Sequence, residues 1–223
     1  GTDMSDLPPD LSPLPRSFCL RGAVETARAL LGKVLIHRAS EGTAGGIIVE
    51  TEAYAGPTDA ACHAFGIPAA RPGHRTEVMF RAGGYAYVYL IYGMYHCFNV
   101  VAGPEGFPEA VLIRALEPRF GLGLMRKRRG TDDARKLCGG PGRLCRALYI
   151  SREQNGTDLT SGTLFLAEGE SIPDARVAAT PRINVDYSGE AAGYPYRFAV
   201  KDSPFLSTRR FLGNPNKQSS ADN

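Results

Sequence analysis

The chain has 223 residues, 43% of them hydrophobic and 22% charged, with a formal net charge of +3. That balance fits a globular protein with one buried core, two small domains being the alternative, and excludes a disordered chain. No apolar run approaches the roughly 18 residues of a membrane span. Five cysteines form no CxxC pair and four histidines never fall at ligand spacing, which argues against a metal centre.

Residues 1–16 are acidic and Pro-rich and read as a disordered tail, with Met4 behind Gly-Thr-Asp as an expression scar. They lack the basic start and apolar middle of a secretion signal, so an intracellular protein with reduced thiols is expected. The stretch RGAVETARALLGK carries Ala23, Val24, Ala27, Leu30 and Leu31 at helical spacing before Gly32, and predicts a short helix. KVLIHR (33–38) and GGIIVETEAYAG (45–56) predict strands.

In the second strand Glu50, Glu52 and Tyr54 alternate onto one face. Two carboxylates about 7 Å apart fit a pair for glycosidic cleavage, a single general base with a structural neighbour, or a wet sheet face. Ile47, Ile48 and Val49 argue for burial, and buried carboxylates need partners. Arg114, set among apolar residues in VLIRAL, is buried by the same logic and is the expected partner.

Residues 57–75 read as loop. YAYVYLIY and YHCFNVVAG predict two antiparallel strands joined around Tyr92-Gly93-Met94. Tyr54, His63, Tyr87, Tyr89 and Asn99 would line a pocket suited to a planar heterocycle; the alternative is cross-strand aromatic packing. EAVLIRALEP (109–118) predicts a buried strand. Residues 119–148 predict a helical region in two parts split by CGGPGR, with nine basic residues from Arg119 to Arg146 that fit a polyanion or a solvated face. Short strands or turns complete the chain to a tail at 208–223. Hairpins outnumber βαβ units, so the expected fold is α+β: a single mixed domain around a curved, mostly antiparallel β-sheet with flanking helices.

The segments IIVETEAYAGPTDAACHA, MFRAGGYAYVYLIYGMYHCFNVV, AVLIRALEP and CGGPGRLCRALYI occur in this order, followed by TPRINVDYSGE and YRFAVKDSPFLS. Together they resemble the alkyladenine (3-methyladenine) DNA glycosylase family, over about residues 17–207. The resemblance implies a monofunctional enzyme that flips an alkylated or deaminated purine from double-stranded DNA and cleaves its N-glycosidic bond, leaving an abasic site. It implies no metal or organic cofactor. A monomer is expected, with no obligate protein partner and no membrane, in the cytoplasm and nucleoid of a bacterium or the nucleus of a eukaryote.

By resemblance Glu52 is the general base, Arg114 holds Glu52 and the attacking water, and the Val185 carbonyl contacts that water. Glu50 is structural. Tyr54 walls one face of the base pocket, and His63 and Tyr89 the other. Main-chain groups from Ala61 to His63 read the base edge, and Asn99 crowds the 2-amino group of guanine. Tyr92 is the wedge that fills the gap left by the flipped nucleotide, and Arg143 and Met79 contact the DNA strand. Cys62, His96 and Phe98 depart from the family's usual residues and would affect which bases fit. Two other classes compete: a nucleic-acid-binding module without catalysis, and a carbohydrate glycosidase using Glu50 with Glu52.

Overall fold

The computed structural model describes residues 11–213, a single mixed α+β domain. Eight strands form one open antiparallel sheet: β1 (Val34–Ala39), β2 (Gly42–Tyr54), β3 (Ala86–Ile91), β4 (Tyr95–Ala102), β5 (Glu109–Phe120), β6 (Leu164–Ala167), β7 (Val177–Thr180) and β8 (Arg197–Val200). The spatial order is β3-β4-β5-β2-β1-β6, and β8 joins β2 to β7.

The long strand β2 organises the site. On one side it pairs with β5 throughout; on the other its first half pairs with β1 and its second half, Glu50 to Glu52, with β8. Against β5 the register slips three times, first between Gly45 and Gly46, where Arg119 is skipped, and then twice around Glu50. Ile48 faces Leu116 and Glu50 faces Ala115, so Val49 has no opposite number; then Thr51 faces Ile113, and Arg114 is the extra residue. Bulges of this kind bend a strand and re-aim its side chains. Here they place the Arg114 guanidinium against both Glu50 and Glu52.

The first helix, α1 (Ala23–Leu30), buries Ala23, Thr26, Ala27 and Leu30 at helical spacing against β2 and β5. It stops before Gly32, whose φ of +86° and whose position against the Glu170 carbonyl leave no room for a side chain. The basic region is broken more often than its sequence pattern predicts. It forms α2 (Leu122–Arg129), α3 (Ala134–Leu137) and α4 (Pro141–Leu148), three pieces rather than two. Gly130, left-handed at φ +66°, ends α2, and Asp133 caps α3 by accepting from the Arg135 amide at 3.0 Å. CGGPGR does not interrupt helix throughout: Pro141 opens α4, where a missing N–H costs nothing. Leu144, Cys145, Ala147 and Leu148 of α4 face the core.

The tyrosine-rich hairpin forms as expected, with Tyr87 opposite Asn99 and Tyr89 opposite Cys97. At its tip Tyr92 and Gly93 both have positive φ, 53° and 65°, and the Met94 amide donates to the Ile91 carbonyl at 3.1 Å. Positive φ at both central residues is the mirror-image turn whose twist suits a hairpin, and three residues, Tyr92 to Met94, join the paired Ile91 and Tyr95.

The chain joins the sheet earlier than residue 17. Leu14 is buried and its amide donates to the Leu166 carbonyl at 2.7 Å. Residues 208–210 also pack, since the Thr208 and Arg210 carbonyls accept from Arg197. The rest of both expected tails, 1–10 and 214–223, lies outside the described residues. Among the described residues no helix is long and apolar enough to cross a membrane, and no group of three or more His, Cys, Asp or Glu is placed to hold a metal ion. The five cysteines are buried and unbridged.

Candidate active site

A cavity of about 470 Å³ opens between the tyrosine hairpin, β2, β5, the N-terminus of α4 and the loop at 183–187. Glu52 and Arg114 line it in depth; Tyr54, His63, Tyr89 and Asn99 form walls. Ala61, Met79, Arg143 and Val185 also line it, and Tyr92 stands at its edge. The structure thus brings every predicted site residue to one cavity.

Glu52 is fully buried and accepts three hydrogen bonds: from Tyr54 Oη at 3.0 Å, from Arg114 Nη1 at 3.4 Å, and from the Ile183 amide at 2.6 Å. An ionised carboxylate offers about four acceptor positions. One is therefore left for a ligand or water in the cavity. Tyr54, desolvated and beside the Glu52 charge, has its hydroxyl held well above the usual phenol range, so it remains a donor.

Glu50 has a different environment. It does not line the cavity. Its carboxylate accepts from Arg114 Nε at 2.9 Å, Arg197 Nε at 3.0 Å, the Ser207 amide at 2.8 Å and Ser207 Oγ at 2.8 Å. Oε2 takes three of these bonds and Oε1 the Ser207 amide, and Arg197 is itself 0% exposed. The wet-face reading of this strand is overturned, and so is the pair of carboxylates flanking a sugar: only one of the two lines the cavity. The two carboxylates and two guanidiniums form a neutral buried quartet, which offsets the cost of desolvating each charge.

The stacking wall is built in layers. His63 packs on Tyr89 with ring centroids 4.5 Å apart, and its Nδ1 lies 3.0 Å from Tyr87 Oη. Burial, with the Arg75 charge, lowers the His63 pKa to about 4, so the ring is neutral at physiological pH. Burial raises Tyr87 to about 12, which leaves its hydroxyl a donor and His63 Nδ1 its acceptor. Tyr87 lines the cavity, as expected, and also orients the histidine. Asn99 is fixed from below, its Nδ2 donating to the Tyr87 carbonyl at 3.1 Å.

The histidine shift has a consequence for stability. The native ring resists protonation down to about pH 4, whereas the unfolded ring titrates at the ordinary histidine value of 6.5. Between those values the unfolded chain binds the extra proton, so stability is full above pH 6.5 and falls as the pH is lowered towards 4. Urea midpoints of wild type minus His63→Gln, taken from pH 7.5 to 4.5, are expected to decline on acidification. A flat difference would remove the neutral histidine from the pocket wall.

Three placements differ from expectation. The Val185 carbonyl accepts both the Ser188 amide at 2.9 Å and Ser188 Oγ at 2.6 Å, so its acceptor positions are occupied. The backbone that meets Glu52 is two residues earlier, at Ile183. Met79 is 1% exposed and faces the cavity rather than the protein surface. Of the departing residues, Cys62 lines the cavity, but Phe98 is buried in the core and His96 lines a neighbouring groove.

Sequence reasoning missed Asp59, Arg182 and Tyr187. Asp59 accepts from the Ala55 and Ala61 amides at 3.0 and 3.1 Å and fixes the turn that delivers the 61–63 backbone. Burial alone would raise its carboxyl, but the hydrogen bonds from Arg182 and those amides outweigh it and hold it below the usual range. Arg182 grips Asp59 at 2.6 and 2.9 Å. A lone arginine between Pro181 and Ile183 was the available signal, of the kind that identified Arg114. Tyr187 is 74% exposed at the cavity rim, with nothing in its local sequence to distinguish it from a turn residue.

Comparison with known proteins agrees with this geometry. Residues 17–204 match the profile of the family described as methylpurine-DNA glycosylase. A protein named "Putative 3-methyladenine DNA glycosylase" from Bacillus cereus strain AH820 is 47% identical over 208 residues, covering 87% of this chain and 98% of the relative. Its namesake from Bacillus anthracis strain A0248 gives the same figures. Another from Bacillus cereus strain AH187 is 48% identical over 205 residues, with the same two coverages. The match spans the hairpin, all three strands of the buried quartet and the 182–187 loop, and on it the chain belongs to the methylpurine-DNA glycosylase family.

Proposed function

We propose that this DNA N-glycosylase receives an alkylated or deaminated purine, flipped out of duplex DNA, in the aromatic cavity and hydrolyses its N-glycosidic bond. The observation that carries the reading is Glu52: a buried carboxylate with three acceptor positions filled and one facing the cavity. A protein that only binds nucleic acid has no use for it.

In this reading a water sits at the free position of Glu52. As it attacks C1′ its proton passes to the carboxylate, the C1′–N9 bond breaks, and the base leaves with the bonding electrons. Arg114, held by Glu50, sets a positive charge beside Glu52 and keeps it aimed. No lysine nucleophile is needed, and the products are a free base and an abasic site. The base stacks between Tyr54 and the His63–Tyr89 pair, and the backbone from Ala61 to His63 reads its edge. Asn99, fixed by its bond to the Tyr87 carbonyl, crowds a 2-amino group and so rejects guanine. The substrate class comprises 3-methyladenine, 7-methylguanine, hypoxanthine and ethenoadenine. The test is release of free base from single-lesion duplexes, followed by alkaline cleavage at the abasic site. Retention of every lesion base would leave a binding module.

Tyr92 takes the gap in the duplex. It is 87% exposed on a left-handed backbone whose neighbour, Gly93, touches nothing. Arg143, on the outward side of α4 and without an ion-pair partner among the described residues, contacts phosphate. Tyr92→Ala is expected to weaken binding to a lesion duplex and slow single-turnover excision by roughly tenfold or more, as unstacking is no longer repaid. The pocket itself would be intact, so excision from a lesion in single-stranded DNA should change little. Equal losses on both substrates would count against the wedge.

A further inference from the structure

Tyr54 lines the cavity and Arg182 does not. The Arg182 guanidinium lies over the Tyr54 ring, 4.9 Å from its centroid, so the ring stands between a fixed cation and the base site. The guanidinium cannot move away. It is 2% exposed and lies 5.2 Å from the Tyr196 ring centroid. It donates to both Asp59 oxygens and to the Ala53 and Ala191 carbonyls, at 3.0 and 3.1 Å for the last two.

An aromatic face attracts a cation through its quadrupole. A ring already polarised by a cation on one face offers less to a second cation on the other. A base stacked on the free face, at roughly 3.5 Å, would also feel the guanidinium's repulsion, offset in part by the Asp59 carboxylate that lies on the far side of it. On the opposite wall His63 and Tyr89 pack on each other and on Tyr87, and among the described residues no guanidinium is stacked on these rings; the nearby Arg75 charge acts on His63 without lying over its face.

We propose that Arg182 is a specificity-determining residue: stacked behind Tyr54, it weakens that wall's attraction for a positively charged base and shifts the enzyme towards neutral damaged purines. The two walls then differ in role. Tyr89 with His63 holds cationic and neutral bases, and Tyr54 holds flat neutral ones. The proposal rests on the reading that a flipped purine stacks against Tyr54.

The test compares single-turnover excision of 7-methylguanine, which is cationic, and ethenoadenine, which is neutral, from otherwise identical duplexes. The double variant Arg182→Met with Asp59→Asn removes the guanidinium without leaving a buried charge. It is expected to raise the cationic-to-neutral rate ratio by about three- to tenfold over wild type. A ratio unchanged from wild type, with both rates falling together, would make Arg182 merely structural and overturn the proposal. Tyr54→Leu supplies a second arm that does not depend on the double variant folding. Because Arg182 has cancelled much of the ring's pull on cations, this variant is expected to slow the two lesions by similar factors. A loss confined to 7-methylguanine would also overturn the proposal. If wild type excises neither lesion, the glycosylase reading itself falls, an outcome distinct from an unshifted ratio in an active enzyme.

Discussion

Glu52→Gln is expected to bind a lesion duplex within a few-fold of wild type and to excise its base about 10²–10⁴-fold more slowly, the range removed with a general base. Glutamine preserves the volume and can still accept the Ile183 amide, so the site keeps its shape. What is lost is the charge that takes the water's proton and the acceptor set that places the water. Arg114 retains Glu50 as a partner and need not swing into the cavity. Single-turnover excision with enzyme in excess, beside a binding titration on the same duplex, separates the two effects. Full-rate excision would remove Glu52 from the reaction and return the site to a binding module. Equal losses in binding and rate would mean that the substitution had collapsed the pocket.

The second large effect is on stability. Arg197→Met removes one cation from the buried quartet while leaving Glu50 in place, fully buried. It also strips a donor from Thr180 Oγ1 and from the Thr208 and Arg210 carbonyls. Breaking a buried pair from one side typically costs about 3–5 kcal/mol, because the remaining charge stays desolvated. A urea melt should show a large drop in midpoint with an unchanged slope. The damage should extend to the reaction, since Arg114 must then share itself differently between Glu50 and Glu52. A loss below about 1 kcal/mol would mean that Glu50 is solvated or protonated in the native state. Replacing Glu50 and Arg197 together by leucine and methionine should recover part of the stability, as apolar substitution of a whole buried pair often does.

Much of this was legible in the sequence because it is local. Alternation in the second strand put Glu50, Glu52 and Tyr54 on one face, and the hydrogen bond between Glu52 and Tyr54 follows from that spacing. The apolar setting of Arg114 marked it as buried and in need of a carboxylate. Tyr92-Gly93 announced a tight hairpin tip. What was hidden is long-range or irregular. Asp59 and Arg182 are 123 residues apart, and nothing in either segment specifies the other. The two slips around Glu50, of three between β2 and β5, are visible only once the strands are paired, yet they decide that Arg114 reaches both glutamates. The partner of the Val185 carbonyl was hidden because a loop's backbone direction depends on its own turn. Ser188 closes that turn on Val185, and the amide aimed at Glu52 falls on Ile183 instead. Gly130 ended a helix within a run of good helix formers because its left-handed backbone outweighs their propensity.

The buried quartet also constrains the order in which the enzyme can become an enzyme. Glu50 finds Arg114 64 residues later, but Arg197 and Ser207 only 147 and 157 residues later. Contacts of that sequence separation are closed late, since their loop entropy is met before any reward. On a ribosome the carboxylate that steadies the reaction must wait, half satisfied, until nearly the whole chain has emerged. A nascent chain ending before Arg197 would contain every residue of the aromatic wall and still lack a finished floor.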